Sequence, residues 1–144
     1  MIKEIVLLIY LTILALFDRR ERKIPVILPV AGGIAAILYN VYRLSQSSGQ
    51  REWFLLSFVL GLFPGVLLLA VARLTGKAGY GDGLTLLSVG MWTGYKDCFL
   101  LLCLSLLLMA VFAAGMLFMR KAGRNTKLPY LPFLAVVYAV KVLC

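Results

Sequence analysis

Apolar residues gather into six stretches along the chain, residues 5–17, 24–42, 53–71, 84–95, 98–119 and 129–143, with short polar segments between them. A bilayer's hydrocarbon core of about 30 Å takes roughly 20 helical residues, so apolar runs near that length read as membrane spans. The first run is followed at once by Asp18-Arg19-Arg20-Glu21-Arg22-Lys23. A cleaved signal peptide carries its charge before the apolar stretch and small residues after it, so this run reads as a retained span. Pro25 opens the second run, a place a helix tolerates in its first turn. Trp53 stands where an interfacial aromatic belongs. The fourth run ends at Lys96-Asp97 and the sixth begins at Pro129. No Gly/Ser linker, internal repeat or low-complexity tract divides the chain. The pattern predicts an all-α integral membrane protein of about six transmembrane helices in a single domain over residues 1–144.

Composition agrees with the pattern: 62% of the 144 residues are hydrophobic, against about 45–50% in soluble domains. The net charge of +9 would suggest nucleic acid in a soluble protein. Here the cations cluster between spans, and the aromatics lie in or beside apolar runs rather than among the cations. Membrane orientation and anionic lipid headgroups explain such clusters better, so nucleic acid is not an expected partner and membrane lipid is. Six spans place ten cations on one side (Arg19, Arg20, Arg22, Lys23, Arg73, Lys77, Arg120, Lys121, Arg124, Lys127) and five on the other (Lys3, Arg43, Arg51, Lys96, Lys141). The positive-inside rule makes the first side cytoplasmic and puts both termini outside. The chain has no histidine, which excludes Ser-His-Asp and Cys-His catalysis and His-ligated zinc. Cys98, Cys103 and Cys144 have no C-x-x-C spacing and read as small buried hydrophobes, with neither disulfide nor metal site expected.

Six residues are acidic, and this topology places Asp18, Glu21 and Asp82 on the cytoplasmic side. Asp18 ends the first span and Asp82 begins the fourth. Those runs of 13 and 12 residues cover only about 20 Å and 18 Å as helices, which draws both carboxylates below the interface. Ionisable groups at that depth point to function. Paired carboxylates hydrolyse without histidine, because two close acids do not both ionise: one keeps a proton while the other acts as base on water. Asp82 precedes a helix N-terminus and Asp18 follows a C-terminus, and these dipole ends would give Asp82 the resting charge. Asp82 lies in Gly79-Tyr80-Gly81-Asp82-Gly83, where glycines let an extended peptide approach the acid closely. The bland alternatives are an N-cap aspartate in a turn at Asp82 and a stop-transfer charge at Asp18.

Taken together, these residues resemble the type IV prepilin peptidases, membrane aspartic proteases that process type IV pilin and related secretion-system precursors. The likeness covers nearly the whole chain. The family's first catalytic aspartate precedes a basic stretch and Ile-Pro-Asn; here Asp18 precedes Ile24-Pro25 at the same spacing, with Val26 in the asparagine's place. Its second lies in Gly-x-Gly-Asp, here residues 79–82, a motif shared with the larger presenilin-like proteases. Thr85 stands where a lysine is common, so any pairing that lysine makes is missing here. Residues 86–94 are similar to the family's glycine-punctuated helix, and Pro129-Tyr130-Leu131-Pro132-Phe133 to its proline-bracketed last helix.

The resemblance implies an aspartic endopeptidase of the cell (inner, cytoplasmic) membrane that cuts a short basic leader from prepilin-like precursors at the cytoplasmic face. Asp18 and Asp82 would be catalytic, and Gly79, Gly81, Ile24 and Pro25 would position substrate. No metal or organic cofactor is implied. The segment with Cys-x-x-Cys pairs that methylates the new N-terminus in many members is not matched here. The expectation is therefore a short, peptidase-only form like those of tight-adherence pili and archaeal preflagellins. The competing class is a non-catalytic scaffold or small transporter subunit, with both aspartates as counter-ions to cations such as Arg19 or Lys77. Oligomeric state is not legible.

Overall fold

Each apolar run becomes a helix, and most of the helices extend beyond the run into the polar residues that flank it. The structure, a computed structural model, describes residues 1–21, 25–46, 49–76, 79–120 and 128–144. Among the described residues there are six helices and no strand: α1 (Ile2–Glu21), α2 (Ile27–Gln46), α3 (Arg51–Thr75), α4 (Tyr80–Thr93), α5 (Tyr95–Phe118) and α6 (Leu131–Leu143). Three of them, α2, α3 and α5, are long and apolar enough to cross a membrane. The 14 residues of α4 and the 13 of α6 cover only about 20 Å each. The protein is thus an all-α membrane protein.

Four of the departures of the helix boundaries from the apolar runs bear on the site or its neighbours. α1 continues through Asp18 to Glu21, and its last turn carries Arg19 and Arg20, cations that suit a helix C-terminus. Pro25 lies outside α2, its carbonyl accepting the Leu28 N–H at 3.1 Å. The first-turn proline of α2 is Pro29 instead, where a missing N–H costs nothing. α4 begins at Tyr80 rather than residue 84, so Asp82 lies inside its first turn. Finally, Tyr95-Lys96-Asp97 does not separate α4 from α5 but opens α5. Gly94 alone makes that turn, with φ +87°, a conformation glycine adopts without strain.

By their contacts the residues form two units, one of 1–22 and 101–144, the other of 23–100. In the first unit α1 lies against α6. The buried face of α1 is Leu7, Leu11, Leu14 and Asp18, at the i, i+4, i+7, i+11 spacing of one helix stripe. The buried face of α6 is Leu131, Leu134 and Tyr138. Phe133 of α6 meets Phe112 of α5 with ring centroids 5.4 Å apart. Among apolar lipid tails such contacts stabilise by close packing rather than by expelling water.

In the second unit α4 packs against both α2 and α3. Towards α3 the surfaces are made of small residues. A methyl group on Gly61 would come 2.7 Å from the Gly90 carbonyl oxygen, and one on Gly65 would come 2.7 Å from the Leu87 nitrogen. Backbones that approach this closely gain dispersion contact along their length. Towards α2 the contacts are polar. Ser88 Oγ donates to the Pro29 carbonyl at 2.7 Å, Trp92 Nε1 to that of Gly32 at 3.3 Å and Asn40 Nδ2 to that of Met91 at 2.8 Å. Tyr39 stacks on Trp92 at 5.2 Å. One face of α4 is therefore set by close approach and another by hydrogen bonds, which fixes both the position and the rotation of the helix that carries Asp82.

Candidate active site

Asp18 occupies the last turn of α1 and continues the stripe of Leu7, Leu11 and Leu14, so the leucines that seat α1 on α6 also turn the carboxyl inward. It is only 7% exposed. Its Oδ2 accepts the backbone N–H of Leu131 at 3.3 Å. Leu131 is the first residue of α6, and the N–H groups of a helix's first turn have no partner within the helix. Phe133 and Leu134 already donate to the Tyr130 carbonyl, at 3.1 and 3.2 Å, and Pro132 has no N–H to give. Leu131 keeps the free donor of that turn, and Asp18 receives it. Among the described residues, the partner of Asp18 is this backbone group and not Arg19.

Asp82 belongs to the second unit and is half-buried, in the first turn of α4. Its N–H donates to the Gly79 carbonyl at 3.2 Å. A methyl group placed on Gly79 would come 3.1 Å from Asp82 Oδ2, so the glycine leaves open the space beside the carboxylate. Gly79 has φ −75° and ψ 130°, which any residue adopts; its value here is room. Gly81 accepts the Thr85 hydroxyl on its carbonyl at 2.7 Å. Thr85 is fully buried and closes its hydroxyl onto its own helix. Gly83 sits against Leu69 of α3, where an added methyl would come 2.6 Å from Leu69 Cγ.

Both aspartates therefore stand at helix N-termini, Asp82 within that of α4 and Asp18 across from that of α6. The opposite dipole ends expected from the apolar runs are both present, with Asp18 in the last turn of α1 and Asp82 in the first turn of α4, and the N-terminus of α6 is an added neighbour of Asp18 from 113 positions further along the chain. Of the expected substrate-positioning residues, Gly79 and Gly81 flank Asp82 and Pro25 is exposed ahead of α2, beside the exposed Val26 that departs from the family pattern. Ile24 and Lys77 lie outside the described residues.

The residues that motif spacing did not indicate are Leu131, whose contribution is a backbone N–H, and the pair Ser105–Tyr130. Their hydroxyls are 2.6 Å apart and buried, next in sequence to the Asp18 contact. The proline-bracketed segment 129–133 was the visible sign that α6 starts at a defined point.

Residues 5–114 match the type IV leader peptidase family, a stretch that contains both aspartates and ends before α6. Over 85 aligned residues the chain is 35% identical to the prepilin leader peptidase/N-methyltransferase of Aeromonas salmonicida (strain A449), covering 54% of this chain and 29% of the relative. The protein of the same name from Aeromonas hydrophila is 34% identical over the same share of each chain. The alignment thus spans less than a third of these curated relatives. No solved structure matches.

Proposed function

Because this chain belongs to the type IV leader peptidase family, we propose that it is a membrane-embedded aspartic endopeptidase that removes the short basic leader from type IV prepilin-like precursors. Asp18 and Asp82 carry the reaction. One carboxylate takes a proton from water as that water attacks the scissile carbonyl, and the other carboxylic acid protonates the leaving amine, so one water is consumed for each bond cut. The peptide lies extended beside Gly79 and Gly81, with Pro25 and Ile24 on its path. Cleavage takes place at the cytoplasmic face of the cell membrane, the side richer in Lys and Arg. No metal or organic cofactor enters this scheme.

The observation that carries the reading is Asp18 itself. A carboxyl that is 7% exposed at the end of an apolar stripe, bonded to a backbone N–H and, among the described residues, to no cation, is poorly explained as a counter-ion. It fits an acid kept in place for chemistry. The scaffold or transporter alternative needs both aspartates only for charge.

The test is co-expression of a prepilin with the wild type, Asp18→Asn or Asp82→Asn, with membrane insertion checked for each. Loss of processing by both inserted variants is expected. Normal processing by either one would make that aspartate structural. A wild type that cuts no prepilin would favour the scaffold.

A further inference from the structure

The contact between Asp18 and Leu131 is made at the first residue of α6, and a pair of buried hydroxyls lies beside it in sequence. Tyr130 is the residue before α6, 5% exposed, and Ser105 on α5 is fully buried. Ser105 Oγ lies 3.0 Å from the Leu102 carbonyl as a donor to it. The two hydroxyls lie 2.6 Å apart, in a bond that either of them could donate. Away from water such a bond is strengthened by the low dielectric. It ties the side chain of Tyr130 to α5, while the carbonyl of the same residue accepts the N–H groups of Phe133 and Leu134. The next N–H along the chain is that of Leu131, the donor to Asp18.

We propose that the Ser105–Tyr130 hydroxyl pair positions Asp18: by fixing the first turn of α6 against α5, it holds the Leu131 N–H where the Asp18 carboxylate meets it. Both residues are buried and act through the Leu131 N–H, so these are positioning residues. Tyr130 and Leu131 lie beyond the stretch matched to the family. The inference rests on the proteolytic role of Asp18 proposed above.

Two readouts separate the two ideas. The first is steady-state cleavage of a prepilin by the purified protein in liposomes, comparing wild type, Tyr130→Phe, Ser105→Ala and the double variant. The second needs no activity: the Leu131 amide resonance of leucine-labelled (nitrogen-15) protein, assigned by its loss in Leu131→Ile and compared with Asp18→Asn. Each single variant is expected to lower kcat about tenfold, the worth of one hydrogen bond, with KM unchanged. The double variant should fall no further than Ser105→Ala alone, since both changes remove the bond between the hydroxyls and Ser105→Ala also removes the bond to the Leu102 carbonyl. The Leu131 resonance should move in Tyr130→Phe and Ser105→Ala in the direction seen for Asp18→Asn. A Leu131 resonance identical to wild type in both variants overturns the proposal whatever the activities. A resonance that moves while kcat stays at the wild-type value overturns its catalytic part and leaves the peptidase reading intact. A wild type that cuts nothing removes the peptidase reading and that catalytic part together, while the resonance still decides whether the pair holds the contact.

Discussion

At the scale of single residues, the two aspartates are held by different means. Asp18 is placed by a stripe of leucines and one N–H donor. Asp82 is placed by the start of its own helix and by empty space at Gly79. That space gives a direct prediction. In Gly79→Ala the backbone needs no adjustment, but the new methyl at 3.1 Å from Oδ2 lies closer than such contacts normally run. The flexible carboxylate therefore turns aside by a few tenths of an ångström. Small displacements of a reacting group cost rate steeply, so prepilin cleavage should fall roughly tenfold while expression and insertion match the wild type. Wild-type cleavage by Gly79→Ala would show that this space is not used.

At the scale of elements, α4 depends on how closely it approaches α3. A methyl group on Gly90 would fall onto the carbonyl oxygen of Gly61, and two backbones in contact have no side chain that could yield. Gly90→Ala should therefore destabilise the protein by about 1–3 kcal/mol, read as a lower midpoint of thermal unfolding in detergent micelles. Gly115 in α5 is the matched control, since nothing lies within 4 Å of a methyl placed there. Gly115→Ala should raise stability by roughly 0.5–1 kcal/mol, because alanine loses less freedom on entering a helix. Equal effects from the two substitutions would mean that the contact between α3 and α4 is looser than described.

For the whole molecule, the distribution of Lys and Arg sets the sidedness. Ten cations on one side of six spans against five on the other predict that the loop after α3 is cytoplasmic and the loop after α2 external. With the three native cysteines replaced, Gly49→Cys should react with a membrane-impermeant thiol reagent in intact cells. Thr75→Cys should react only in inverted vesicles. Nothing crowds Gly49 within 4 Å, and Thr75 is exposed at the end of α3, so either thiol is sterically open. The reverse pattern would invert the topology and move the proposed cleavage to the outer face.

The amino-acid sequence by itself determined the helical membrane class, the six helices and the two candidate aspartates. All of these are local or additive properties: an apolar run long enough for lipid, a carboxylate beside it, glycines around a motif. The inward direction of Asp18 was not legible, since residues 5–17 are apolar nearly all round and only the structure picks out Leu7, Leu11, Leu14 and Asp18 as the buried stripe. Only the tertiary structure decided where helices begin and what meets the carboxylates. Asp82 entered α4 because Gly79 rather than Gly83 starts the helix, a choice among neighbouring glycines that composition leaves open. The donor to Asp18 is a main-chain N–H, which every residue but proline carries and no motif can mark. It became a partner because Pro132 and the Tyr130 carbonyl left Leu131 the one free donor in the first turn of α6, and the packing of α1 on α6 brought the carboxyl to it.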